Sequence, residues 1–225
     1  MGVKAKLKSS FKSGGFLSRL IVGVYNGLPF NNKIKGKRKN KLKIKGVLKK
    51  CEIIFNGKFN QVEIERGVTL KNCKIIVSGC NNKVLLKQGV YGKQAEFCLQ
   101  DDGNVIEVGK GTSFAGKIHL ACIEGTKITI GENCLFSSEI VFRTGDSHVI
   151  VDLNDNRINQ SKDIVIGNHV WVGHRALVNK GVGVADDCVI GTGAIVTKSL
   201  TESNCVYAGV PAKKVKSDIN WKAER

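Results

Sequence analysis

Between Ile166 and Thr201 an aliphatic side chain returns at every sixth position: Ile166, Val172, Val178, Val184, Ile190 and Val196. Four residues after each comes a second apolar position, at Val170, Ala176, Val182, Cys188, Ala194 and the larger Leu200. A helix repeats every ~3.6 residues and a strand every ~2, so neither explains a strict period of six. A six-residue rung does. Each rung is a short strand and a turn that stacks one inward side chain on its equivalent in the next coil. The expected fold is therefore all-β, a parallel β-helix of hexapeptide repeats.

A longer repeat precedes this one. Ile64, Leu86, Val108 and Ile130 are spaced 22 apart, and Leu42, 22 residues before Ile64, extends the series. Three hexapeptides make a triangular coil of 18 residues; 22 is that coil with four more at a corner. Asn60, Asn82, Asn104 and Thr126 fall at equivalent turn positions beside Gly57, Gly79, Gly103 and Gly125. Asn and Gly suit tight turns because they tolerate positive φ. The solenoid is expected to run from 42 to 212, with a basic, partly helical arm at 1–41 and a short tail at 213–225.

Charge sharpens that division. The chain carries +17, and residues 1–50 hold fifteen Lys or Arg with no acid, leaving +2 for the rest. Phe16 to Tyr25 is an apolar stretch interrupted by Arg19 and too short to span a bilayer; no A-x-A-like cleavage site follows it. With Lys4, Lys6, Lys8 and Lys12 ahead of it, the stretch reads as an amphipathic helix lying on an anionic membrane face. The competing expectation is a helix that docks on the end of the solenoid. Asn31 to Lys45 reads as a basic linker into the first strand.

Only 6% of residues are aromatic, which suits thin rungs where bulky rings pack poorly. The eight cysteines form no CxxC pair and follow no secretory signal, so they read as reduced, buried thiols of a cytoplasmic protein. Stepping 22 from Thr126 lands on His148, where the pattern breaks. The polar stretch 149–163 is too long for a coil corner and is expected to form a flap beside His148.

The segments TGDSHVI, INQSKDIVIGNHVWVGHRALV, VIGTGAIVTKSL and AGVPAKKVK resemble the hexapeptide-repeat O-acetyltransferases, above all those acting on bacterial capsule and lipopolysaccharide sugars. The likeness is strong over 130–216 and rests on period alone upstream. It implies a left-handed coil, a homotrimer with its active site between subunits, acetyl-CoA as co-substrate and a sugar acceptor. It makes His148 the catalytic base and puts Trp171 in the cleft; Asp146, two residues before His148, reads as orienting the imidazole, as binding the acceptor, or simply as an acid favoured by its turn. Gly173, His174, Thr192, Thr197 and Lys198 match donor-binding positions, and Lys213 and Lys216 stand where some relatives carry arginine. A lysine keeps the positive charge for phosphate but loses the bidentate fork.

Chemistry supports the base independently of the likeness. A sugar hydroxyl is a weak nucleophile, and an imidazole with an ordinary pKa near ~6.5 can take its proton during attack on a thioester. Trp171, between Val170 and Val172, is expected to point away from the interior. Lys180 reads as a solvated turn residue, and His119 and His169 as structural. Two other readings compete. GHRALVN resembles the zinc-binding stretch of β-helix carbonic anhydrases, but Asn179 replaces the second histidine and an amide is a poor zinc ligand, so no metal is expected. A nucleic-acid-binding role suits the charge, yet that charge is confined to the arm and no aromatic platform accompanies it.

Overall fold

Inward side chains on three faces close this chain into a triangular solenoid. The computed structural model describes residues 16–27 and 31–224. Sheet A stacks eight strands, from Lys33–Lys35 and Glu52–Asn56 up to Ile140–Arg143, Leu177–Val178 and Ile195–Val196. Sheet B stacks seven, from Lys41–Ile44 to Ile164–Ile166 and Gly183–Val184, and sheet C runs from Val47–Lys49 through Trp171–Val172 to Val206–Ala208. Within the three sheets the pairing is parallel except for Lys213–Lys216, which folds back antiparallel on Val206–Ala208 and ends sheet C.

Both repeats appear as register. Ile64, Leu86, Val108 and Ile130 face one another in sequence down sheet B, and Trp171 faces Val189, 18 residues on, in sheet C. Leu42 is not in that column. Its partner is Val62, and Ile44 is the residue opposite Ile64. The cause is a shorter corner, since Lys45–Gly46 does in two residues what Glu65–Val68 does in four. Only glycine fits there, because a Cβ on Gly46 would lie 2.7 Å from the Val68 carbonyl oxygen. The ladder begins at Lys33, so the last part of the expected arm is a rung of sheet A, and the expected tail supplies a strand.

Bulky rings do enter the interior. Phe97, Phe114, Phe136 and Phe142 are fully buried, with neighbouring centroids 5.1 to 6.1 Å apart. Room for Phe114 comes from a small residue one coil below it. Gly92 lies directly below Phe114 in sheet C, above Leu70, whose methyl would sit 2.8 Å from any Cβ at 92.

The expected asparagine turns form a buried ladder at the edge between sheets A and B. Each side-chain oxygen accepts the main-chain N–H one coil above: Asn40 from Asn60, Asn60 from Asn82, Asn82 from Asn104 and Asn104 from Thr126, at 2.8 to 3.1 Å. Buried amides so paired avoid the penalty of an unmet donor. The next member is Thr144, whose hydroxyl lies 2.6 Å from that of Thr126. His148 is therefore not the next member of this column. It lies four residues beyond, in the excursion that opens where the column ends.

At the other end, the helix α1 (Phe16–Gly27) docks on the first strand of sheet C. Among the described residues no strand pairs with its free side, and asparagines take the partner's place. Asn26 donates to Gly46 O and accepts from Leu48 N, at 2.9 and 3.0 Å. Asn31 and Asn32 each donate to Leu48 O, and accept from Lys50 N and Cys51 N respectively. Val22 is buried, whereas Leu20 and Val24 are exposed. The lysines at 4, 6, 8 and 12 lie outside the described residues. Among the described residues no helix is long and apolar enough to cross a membrane.

Candidate active site at the coil edges

The excursion leaves sheet A after Arg143 and rejoins at Ile164 in sheet B, so it rises from the A–B edge. Its tip is a small hairpin in which Val151 bridges Arg157 and Ile158 N donates to Ile150 O at 2.9 Å. Asp152 closes it by accepting the main-chain N–H groups of Asn154 and Asn156, at 2.8 and 2.9 Å. Ser147 adopts a left-handed φ of 66°, a kink that precedes His148, and the His148 side chain is exposed.

Two coil residues clamp the flap. From below, Glu124 takes both its oxygens to Arg157 at 2.9 Å and accepts from Ser161 Oγ at 2.8 Å. From above, Lys180 donates to Asp146 Oδ2 and, at 2.9 Å, to the main-chain oxygen of Asn159. The Lys180 ammonium, followed by the Asn159 amide, holds the Asp146 carboxyl below its ordinary value. Lys180 is thus no idle turn residue.

Asn159 is the keystone. Its buried side chain donates to His148 O at 2.7 Å and to Asp146 Oδ2 at 3.0 Å, and accepts from Ile150 N at 2.8 Å. One amide therefore fixes the backbone on both sides of the histidine. Sequence reading passed over Asn159, Glu124 and Arg157, since nothing local separates them from other polar loop residues. Lys180 had a signal. It lies two residues past inward Val178, as Thr144 follows Phe142 and Lys198 follows Val196, so the 18-residue phase stacks all three on one edge.

The remaining candidates divide between edges. Thr197 and Lys198 share the A–B edge with His148. Gly173, His174 and Thr192 lie at the C–A edge, where a Cβ on Gly173 would come within 2.6 Å of Thr192 N and where Gly193 N donates to His174 O at 2.7 Å. His174 Nδ1 lies 2.9 Å from the Ser138 hydroxyl and 3.0 Å from Ser138 O, contacts that anchor the ring to the coil below. Lys213 begins the antiparallel strand beside Ala208, and Lys216 stands at its far end opposite Val206.

Trp171 points outward from sheet C at 41% exposure, between fully buried Val170 and Val172. It has a companion that sequence reading did not find. Trp221 lies 6.1 Å away, stacks on His169 at 4.2 Å and donates its indole N–H to His169 O at 2.8 Å. His169 is held in turn by Asp187 at 2.8 Å, a structural role. Within one chain His148 and Trp171 therefore do not meet, because one stands on the A–B edge and the other on sheet C. His148, His169 and His174 likewise occupy three different edges.

Fold and edge site together define the class, a hexapeptide-repeat solenoid of the left-handed parallel β-helix type. No family model matches the chain. Its fold is similar to the crystal structure of the polySia specific acetyltransferase NeuO, with a TM-score of 0.78, 30% identity and coverage of 86% of this chain and 88% of that one. The polysialic acid O-acetyltransferase OatWY gives a TM-score of 0.69 at 29% identity over 87% and 89%. The chain belongs to the hexapeptide-repeat O-acetyltransferase family. In sequence, it is 34% identical over 120 residues, 53% of this chain, to the polysialic acid O-acetyltransferase of Escherichia coli O1:K1 / APEC. It is 35% identical over 118 residues, 52% of this chain, to the galactoside O-acetyltransferase of Escherichia coli K12. The matches span 38% and 56% of those two relatives.

Proposed function

We propose that the protein transfers the acetyl group of acetyl-CoA to a hydroxyl of a sugar in a surface polysaccharide or its precursor. The observation that carries this is His148, an exposed imidazole on a backbone clamped by Asn159, beside a flap on the edge of a family scaffold. The neutral imidazole takes the hydroxyl proton as the oxygen attacks the thioester carbonyl. The tetrahedral adduct then expels the CoA thiolate, which takes up the proton from the imidazolium. Asp146 is proposed to border the acceptor, and its contact with Lys180 keeps it ionised there. The names of relatives make polysialic acid and galactosides the acceptors to try first.

The split between His148 and Trp171 favours a homotrimer in which sheet C of one copy faces the A–B edge of the next. Such an interface would bring Trp171 to the acceptor and align Gly173, His174, Thr192, Thr197, Lys198, Lys213 and Lys216 along the donor. The exposed pair Leu20 and Val24 on α1, next to a lysine-rich sequence, supports peripheral contact with an anionic membrane at its cytoplasmic, inner face.

The decisive experiment is thiol release from acetyl-CoA with each candidate acceptor, comparing the unaltered protein with His148→Ala. Loss of a general base lowers the rate about 10²–10⁴-fold. Because His148 is exposed, thermal unfolding should be unchanged. Undiminished turnover in the variant would exclude this mechanism.

A further inference from the structure

The first two turns of the A–B edge carry a second site that the reaction at His148 does not use. Five turn residues occupy equivalent places there, each two before the aligned strand residues Lys41, Gln61, Lys83, Val105 and Lys127. They are Lys39, Phe59, Asn81, Gly103 and Gly125, and all have φ between 58° and 75°. Asparagine and glycine accept that conformation readily, whereas a bulky ring there is an outlier that turn geometry does not call for. Phe59 is nevertheless 68% exposed.

The ring borders a cavity of about 570 Å³ whose other walls are Lys39, Asn40, Lys41 and Gln61. The floor is rigid. Asn40 donates to Gly36 O and Gly57 O at 2.8 and 2.9 Å, and Phe59 N donates to Lys39 O at 2.8 Å. Ten basic residues and no acid fall between 31 and 50, all of them exposed. Lys33 and Lys43 are paired, with Glu52 and Glu63. Among the described residues Lys37, Arg38, Lys39, Lys41 and Lys58 make no ion pair. Asp101 and Asp102, on the third turn above, end the positive run and confine the site to the turns of Lys39 and Phe59.

We propose that this cavity is a remote binding site for a carboxylated glycan, an anionic segment of a polymeric acceptor whose reacting unit lies at His148. The inference rests on the acetyl-transfer reading and adds to it the class of acceptor. An aromatic face takes the C–H face of a sugar ring, and the ammonium groups beside it form charge-assisted bonds to its carboxylate. The geometry supplies the link. The same column of turns continues from Phe59 through Asn81, Gly103 and Gly125 to Ser161, which bonds Glu124 at the base of the flap. Four steps at roughly 4.8 Å put about 19 Å between Phe59 and the base of the flap that carries His148. A monosaccharide cannot span that distance, and a polymer can. A single aromatic without interleaved partners makes a poor platform for nucleic acid.

The test is binding of fluorescent oligosialic acids and oligogalacturonates to the full-length protein, with dextran oligomers as the neutral control. Lys39→Ala/Lys41→Ala and Phe59→Ala are measured beside the unaltered chain. All three residues lie at the surface, and thermal unfolding verifies that each variant folds. The expected result is binding of at least one carboxylated series, no binding of dextran, and at least tenfold weaker binding in both variants. Equal affinity of Phe59→Ala, or binding of single-stranded DNA or of phosphatidylserine vesicles that Phe59→Ala weakens more than it weakens glycan binding, would overturn the proposal. Thiol release by the unaltered protein, scored separately, reports on the acetyl-transfer reading, so either can fail alone.

Discussion

Asn159 donates its side-chain amide to the main-chain carbonyl of His148 at 2.7 Å, across 11 residues of chain. The same group reaches Asp146 and the N–H of Ile150, so the position of the imidazole depends on a residue that never touches the reaction. Asn159→Ala removes all three contacts. A displacement of about 1 Å can cost roughly 10²-fold, so kcat should fall about 10- to 100-fold while the KM for acetyl-CoA stays within about twofold. Steady-state kinetics in both substrates measures the split, and an unchanged kcat would refute the positioning role.

The pair Asp146–Lys180 sets a pH dependence. Lys180, then Asn159, depresses the Asp146 carboxyl below its ordinary value of 3.8. A depressed carboxylate contributes stability that is full above the unfolded value and is lost as pH falls through the lower folded one. The flap should therefore stay clamped down to pH 3.8, and any fall in turnover at higher pH must have another source. Hydrogen exchange of residues 145–163 at pH 7, 5 and 3 tests this; loosening between pH 7 and 5 contradicts it.

Stability should depend strongly on the asparagine ladder. The Asn82 side chain donates to Ser78 O and Asp101 O in partly buried bonds and accepts from Asn104 N in a buried one. Asn82→Ala leaves those groups unpaired and should cost about 1–3 kcal/mol. Urea unfolding followed by circular dichroism measures it, and a shift comparable to that of an exposed Gln88→Ala control would disprove the ladder's role.

Asn31 and Asn32 cover the open end of sheet C. Replacing both with alanine exposes Leu48 O, Lys50 N and Cys51 N, and a bare strand edge pairs with other chains. Light scattering should reveal assemblies larger than a trimer in the double variant and none in the unaltered protein. Salt-reversible binding to anionic liposomes, if carried by the preceding segment, should survive in any monodisperse fraction.

Donor binding is assigned to two edges, and the assignment is separable. Lys198→Ala and Lys213→Ala remove charge far from the bond being made, so each should raise the KM for acetyl-CoA more than it lowers kcat. A fall in acceptor affinity with donor affinity intact would move those lysines to the acceptor.

The sequence alone determined the fold and the scaffold of the site. A strict six-residue return of aliphatic side chains has one regular structural solution, because every coil must stack the same inward position on its neighbour. That is why Ile64, Leu86, Val108 and Ile130 could be aligned before any coordinates, and why Trp171 could be turned outward. It failed where a corner changed length, as at Lys45–Gly46, which moved Leu42 out of its column. Period also misled at 148, where Thr144 had already taken the turn place and left His148 in the excursion. Tertiary structure decided the rest. Asn159 meets His148 by a fold of the excursion on itself, and Glu124 and Lys180 reach the excursion across 21 to 37 residues of chain because coil stacking brings them to its base. Trp221 finds His169 in the same way, 52 residues back along the chain. Such contacts have no period to read, since each is a single meeting of side chains on an edge that the stacked coils create.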